Sequence, residues 1–254
     1  MTLKLYHAEP VANSLKCLIP LKEKGLPFES RYMDLHRFEQ HEPWFVAINP
    51  DGQVPVLDHD GVIITQSTVI NEYLEDAFPD APPLRPADPA GKARMRFWNK
   101  FTDEHVMNFV SMHGWHRLIT VLSRSIEGNE FEKLMERIPL KEQRDKWRNA
   151  RSGFTQAQLD EAERKVRVAV EKVEAQLALT PYLAGDLYTL ADINFFAHCG
   201  NSIGRLFPHI GTPAICPRLL EWAQRIRERP GVAAALKMED RTDPRLRTFT
   251  GEAR

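Results

Sequence analysis

Two short strings carry groups that together suit a peptide ligand bearing an α-amino acid head. Gln53-Val54-Pro55-Val56 places a proline at the start of a predicted strand. Proline donates no ladder hydrogen bond, so it belongs at a strand start, an edge or a bulge. In the cis form it leaves the N–H and C=O of Val54 free to pair, strand-like, with a bound peptide. An ordinary trans proline in a loop is the alternative. Eleven residues after Pro55, Thr65-Gln66-Ser67 ends one strand and begins a helix. Ser67 is a natural cap, while the free amides and positive dipole end of a helix start suit a carboxylate. Gln66 adds amide donors and an acceptor.

These strings need a scaffold, and the first 78 residues supply alternating periods for one. Leu3–Tyr6 reads as a strand, Ser14–Lys24 as a helix, Phe28–Met33 as a strand and Gln40–Ala47 as a short helix. Val54–Asp58 and Val62–Thr65 form a hairpin around Asp60-Gly61, followed by a helix over Ser67–Ala77. The order β-α-β-α-β-β-α is that of a thioredoxin-like domain. Residues 78–89 hold five prolines in twelve positions, a stiff linker. Beyond it strand signals nearly vanish. Helices are expected over 90–124, 130–137, 141–150, 155–179, 191–199 and 218–228. The divisions drawn are 1–79, a linker 80–89, an all-helical domain 90–240 and a polar tail 241–254. The fold class is an α/β thioredoxin-like N-terminal domain plus an all-α C-terminal domain. Pro20 falls inside the first helix and is expected to kink it.

Tyr6, Asn13-Ser14, Asn49-Pro50, Gly52-Gln53-Val54-Pro55, Gln66-Ser67, Ile70 and Tyr73-Leu74 resemble the N-terminal domain of cytosolic glutathione transferases. Thr189-Leu190-Ala191-Asp192-Ile193 is similar to the same family's buried capping box. The resemblance implies glutathione as co-substrate. Val54 would pair with its cysteinyl backbone beside cis Pro55, Gln66 and Ser67 would hold the γ-glutamyl group, and Gln40, His41 and Gln53 would lie near the glycyl carboxylate. Gln40 could equally be a solvated helix residue. The attacking sulfur must be a thiolate, and a thiol pKa falls at a helix N-terminus or beside a donor. Ser14 and Asn13 are the candidate donors, with helix capping as their alternative role; Tyr6 on the first strand is a third candidate. Ser14-Leu15-Lys16-Cys17 looks like a Cys-x-x-Cys pair that has lost its first, attacking cysteine, which argues against disulfide exchange.

Further strings, among them Phe38-Glu39-Gln40-His41 and the stretch from Ile138-Pro139 to Phe154, resemble the LigF-type β-etherases of lignin-degrading bacteria. That likeness implies glutathione attack on the carbon beta to a ketone, releasing a phenol and leaving a thioether. Glu9 and Val11 depart from the small residues expected beside the thiol. Tyr6, His7 and Ala8, with Phe109, His113, Trp115, His116, Arg117, Asn194 and His198, are the expected substrate pocket. Trp115 and Phe109 could stack on aryl rings; a histidine or Arg117 could stabilise the leaving oxyanion. A plain interdomain or surface cluster is the bland alternative. A general detoxifying transferase or dehalogenase, and a non-catalytic binding subunit, are the competing functions.

Composition limits the rest. Residues 1–80 hold 6 basic against 13 acidic residues and the remainder 28 against 22. An acidic first part on a basic second part fits subunit association better than nucleic-acid binding. A homodimer is expected from the family, with a heterodimer as the alternative. Cys17, Cys199 and Cys216 are odd in number and lack zinc spacing, so neither a disulfide framework nor a metal is expected. The N-terminus has no signal-peptide core and no apolar run reaches membrane length, so a cytoplasmic protein is expected.

Overall fold

Leu3, Leu5 and Leu57 are buried because their strands carry apolar residues where the sheet meets its helices. The computed structural model describes residues 2–238. In it β1 (Leu3–His7) lies between parallel β2 (Glu29–Tyr32) and antiparallel β3 (Val56–His59), with β4 (Val62–Thr65) outermost. Leu5 faces Ser30 on one side and Leu57 on the other. Asp60 and Gly61 turn the β3–β4 hairpin with φ of 50° and 88°, the left-handed pair that a two-residue hairpin requires. The helices are α1 (Ala12–Glu23), α2 (Pro43–Val46) and α3 (Ser67–Ala77). The expected helix over 40–47 is instead a 3₁₀ turn at Glu39–His41 followed by α2, because Pro43 has no N–H to continue the turn before it.

Pro20 is accommodated inside α1. Its missing N–H frees the carbonyl of Lys16, four residues earlier, and the Asn71 side chain donates to that carbonyl at 3.0 Å. The proline thereby creates an acceptor that fastens α1 to α3. Cys17, with its Sγ 3.6 Å from the Ser67 carbonyl, reinforces the contact; burial pushes its thiol up to about 12, so it is a packing group and not a nucleophile. A second fastening is ionic. Lys24 Nζ donates to Glu75 Oε1 at 2.8 Å and to the Pro82 carbonyl, while Glu75 Oε2 accepts from the Leu84 N–H. This pair ties α1 and α3 to the proline-rich linker.

Asp88 caps α4 (Pro89–His105), accepting from Gly91 N–H at 2.8 Å. The single long helix expected over 90–124 is broken. The chain passes from α4 through Val106 to α5 (Met107–Gly114), a π-helical turn at Trp115–Ile119 and α6 (Thr120–Ser125). A π turn inserts one extra residue per turn and is common at functional sites. Then follow α7 (Gly128–Arg137), α8 (Lys141–Ser152), α9 (Gln156–Leu177), α10 (Leu190–Phe195) with a second π turn at Phe196–Gly200, α11 (Ile203–Leu206), α12 (Pro217–Arg227) and α13 (Pro230–Leu236). The last was not among the expected helices; Pro230 stands at its first position, where a missing N–H costs no hydrogen bond. Gly231 lies so close to Glu23 of α1 that a Cβ would meet it at 2.8 Å, and Arg229 grips the Glu23 carboxylate with two bonds.

The Thr189–Asp192 capping box forms as expected. Asp192 accepts from Thr189 through Oδ2 and from Leu183 N–H and Trp222 Nε1 through Oδ1. One continuous apolar core runs through both halves, taking in Leu15, Leu18, Ile19, Leu74, Trp98, Phe195 and Trp222. The expected tail 241–254 lies outside the described residues, and so does the end of the stretch 90–240.

Candidate functional site

A cleft of about 810 Å³ opens between the sheet half and the helical half. Its first wall is the β1–α1 loop and the start of α1. Val11, not Asn13, is the residue preceding α1, and no side chain caps that end. Ala12 is held at φ 45°, a strained conformation for a non-glycine residue, and Gln66 before α3 at φ 68°. Both line the cleft. Ser14, buried in the first turn of α1, accepts from the Ala8 N–H at 3.0 Å through Oγ and keeps its own proton to donate. Asn13 Oδ1 accepts from the Ser67 hydroxyl at 3.1 Å. Ser67 is therefore the first helical residue tied across to α1, not a cap, and the first amides of α3 stay uncapped at the cleft.

Val54-Pro55 is cis, and among the described residues neither Val54 backbone group enters a backbone hydrogen bond. Asn49 sets this loop: its Nδ2 donates to the Gln53 carbonyl at 2.7 Å and its carbonyl accepts from Gly52 N–H. Gly52, at φ 60°, would place a Cβ 2.8 Å from the His41 ring. Gln40 and His41 are buried, each with one polar side-chain atom unpaired among the described residues, Gln40 Oε1 and His41 Nδ1. Burial, reinforced by Arg137, lowers His41 to about 4, so it meets a ligand as a neutral ring. The structure thus brings Asn13, Ser14, Gln40, His41, Gln53, Val54, Pro55, Gln66 and Ser67 to one cleft.

The expected substrate pocket is only partly assembled. Ala8, Trp115, Arg117 and His198 line the cleft; Tyr6, His7, Phe109, His113, His116 and Asn194 do not. Tyr6 is buried against Phe45, with ring centres 5.6 Å apart. Both His7 nitrogens are engaged at 2.7 Å, with the Ala8 carbonyl and Ser30 Oγ. His113 donates to the Leu159 carbonyl and lies against Phe207. Most residues of α5 and its π turn that reach the cleft, Met107, Val110, Ser111, Gly114, Trp115 and Leu118, form a stripe at helical spacing, with Asn108, Arg117 and Ile119 at its edges. Phe109 and His116 are about half a turn from that stripe. Composition drew attention to the histidines and away from the stripe.

Not expected in the pocket were Gln143, Lys146 and Trp147 of α8, which lie in the stretch that carries the β-etherase resemblance and line the cleft from a polar, charged helix that reads as solvent-facing. Glu9 and Val11 also line it; Glu9 accepts from the Tyr32 hydroxyl at 2.5 Å. At the floor, the buried Lys16 ammonium donates to Thr68 Oγ1 and to Asp103 Oδ1 at 2.8 Å. Asn194 Nδ2 donates to the same oxygen at 3.0 Å, which is where that buried residue is used. Burial alone would raise Asp103, but Lys16 and the Thr68 and Asn194 hydrogen bonds outweigh it and hold the carboxylate low.

His198 stands beside this network with Nε2 unpaired among the described residues. Burial, and secondarily the Lys16 charge, lower it from 6.5 to about 3. Between those values the unfolded chain binds the proton and the folded chain does not, so stability rises with pH through this window and is lost as pH falls. His198 alone should cost about 2 kcal/mol between pH 7 and pH 5. Urea unfolding at the two pH values should show a smaller drop for His198→Gln than for the wild type; identical drops would contradict the buried neutral ring.

Residues 1–76 match the N-terminal domain model of glutathione S-transferases and residues 131–230 the C-terminal domain model. The chain belongs to the glutathione S-transferase family. It is 45% identical over 251 residues to Protein LigF of Sphingobium sp. (strain NBRC 103272 / SYK-6), with 96% of each chain covered. The crystal structure of beta-etherase LigF from Sphingobium superposes with a TM-score of 0.91 over 94% of this chain and all of that one. Glutathione S-transferase 3 of Zea mays is 28% identical over 229 residues, 90% of each chain. The transferase family binds glutathione, and the cleft described above lies where its two domains meet. Among the described residues no cluster of histidine, cysteine and acidic side chains is arranged to hold a metal ion, and no helix is long and apolar enough to cross a membrane.

Proposed function

We propose that this enzyme uses glutathione to cleave the β-aryl ether bond of lignin-derived α-keto ethers, forming a thioether and releasing a phenol. The observation that carries the reading is the near full-length likeness to LigF, together with its superposition on that beta-etherase. In this reading the tripeptide pairs with Val54 beside Pro55, its γ-glutamyl carboxylate meets the uncapped start of α3 at Gln66 and Ser67, and its glycyl end approaches Gln40, His41 and Gln53. The sulfur faces Ser14, whose hydroxyl donates to the thiolate while the amides of α1 add their dipole. The thiolate displaces the aryloxide from the carbon activated by the neighbouring ketone, with inversion. Met107, Val110 and Trp115 offer the wall against which the aryl groups pack.

The domain divisions at 79 and 89 belong to the same reading. So does a homodimer: Val69 of α3 and Phe97 of α4 are exposed on helices joined by the bidentate Glu72–Arg96 pair, and Val62 and Ile63 of β4 are exposed as well. Three free, buried cysteines fit a reducing compartment, and we assign the enzyme to the cytoplasm.

Incubation with glutathione and a guaiacyl β-ether ketone should release one phenol and one thioether for each glutathione consumed. Turnover of chlorodinitrobenzene without any action on such ketones would instead make it a general detoxifying transferase. Calorimetry that shows no glutathione binding would make it a non-catalytic subunit.

A further inference from the structure

Among the cleft-lining cations, Lys146 is distinguished by what surrounds it. Its ammonium lies 4.3 Å from the centre of the Trp115 ring and donates to Ser111 Oγ at 3.3 Å. Both neighbours belong to the stripe of α5 and its π turn that faces the cleft. Among the described residues no carboxylate pairs with it, and burial lowers its pKa to about 8. Its place is fixed through the next residue. Trp147 packs on Trp115 at 5.3 Å between ring centres and on Phe38 at 4.7 Å, clamping α8 between the two halves of the molecule. The other charged groups at the cleft are committed elsewhere. Arg117 donates to the carbonyls of Arg205 and Leu206, Arg205 is itself partnered, Glu9 lies 3.6 Å from His36 and accepts from Tyr32, Asp103 is paired with Lys16, and His41 and His198 are neutral rings.

Resting on the ether-cleavage reading, we propose that Lys146 is a catalytic residue that holds the departing aryl oxygen and protonates it. A ring packed along Trp115 brings its oxygen substituent beside an ammonium that already covers that indole. As the sulfur lone pair forms the C–S bond, the C–O pair leaves on the aryl oxygen. The ammonium gives that oxygen a proton, producing neutral phenol and a neutral amine, and the amine regains a proton from water. The ketone is neither oxidised nor reduced. The glycyl carboxylate of glutathione is a second destination for the charge, and dependence on the leaving group separates the two.

The test is a series of β-ether ketones whose leaving groups run from 4-nitrophenoxide to 2-methoxyphenoxide, assayed with wild type, Lys146→Met and Lys146→Arg. A general acid contributes roughly a hundredfold or more to a step that needs it. Lys146→Met should therefore lose roughly a hundredfold on 2-methoxyphenoxide, much less on 4-nitrophenoxide, and keep its calorimetric glutathione affinity. Lys146→Arg, which retains charge but transfers no proton, should fall between. An equal loss across the series, or weaker glutathione binding with an unchanged dependence on the leaving group, would overturn the proposal. A wild type that cleaves none of these ethers would remove the ether-cleavage reading itself, an outcome distinct from a variant that behaves like a cleaving wild type.

Discussion

Ser14→Ala is expected to slow glutathione-dependent turnover by roughly ten- to a hundredfold, because a hydrogen bond to a charged group is worth about 1.5–3 kcal/mol. Glutathione affinity should change little, since the backbone and γ-glutamyl contacts are untouched. The Ser14 hydroxyl is a positioned donor: Oγ accepts from the Ala8 N–H, which turns its one proton outward from the loop. Asn13→Ala should behave differently. Asn13 accepts from Ser67, so its loss loosens the γ-glutamyl subsite and should appear chiefly in glutathione binding. Steady-state kinetics with calorimetric Kd values separate the two. Equal turnover in Ser14→Ala and wild type would remove this serine from thiol activation.

Glu75→Ala should destabilise the protein by about 3–5 kcal/mol, the usual cost of stranding one partner of a buried ion pair. The side chains of Lys24 and Glu75 are 1% and 3% exposed, so water cannot replace the lost partner. The Leu84 N–H loses its acceptor as well, which releases the linker from α3. Replacing both partners together, as Lys24→Met with Glu75→Leu, should recover much of the loss, because no charge then remains buried. Urea unfolding of the three variants checks this. A Glu75→Ala midpoint indistinguishable from wild type would mean that the pair holds nothing together.

The sheet order was readable because β1, β2 and the hairpin carry their own periodicity and turn residues, Asp60-Gly61 above all. The cleft's sheet side was readable for a related reason: Val54-Pro55 and Gln66-Ser67 bring backbone groups to the cleft, and their placement follows from local sequence. The helical side was not. Which face of α5 meets the cleft depends on packing and on the π turn at Trp115–Ile119, which shifts the helical phase. His113 and His116 therefore looked eligible and lie elsewhere. Lys146 was not expected in the pocket because the mean character of α8 is polar, and only the tertiary clamp of Trp147 between Phe38 and Trp115 turns that face inward. Pro20 looked like damage to a helix; its meaning lay in Asn71, which is fifty-one residues away.

The most direct measurement is a crystal structure of the enzyme with glutathione bound. An extended tripeptide paired with both backbone groups of Val54 is expected, its sulfur within hydrogen-bonding distance of Ser14 Oγ and opening toward Trp115. A sulfur held by another side chain, or a tripeptide lying outside the cleft beside Pro55, would contradict the proposed thiol activation.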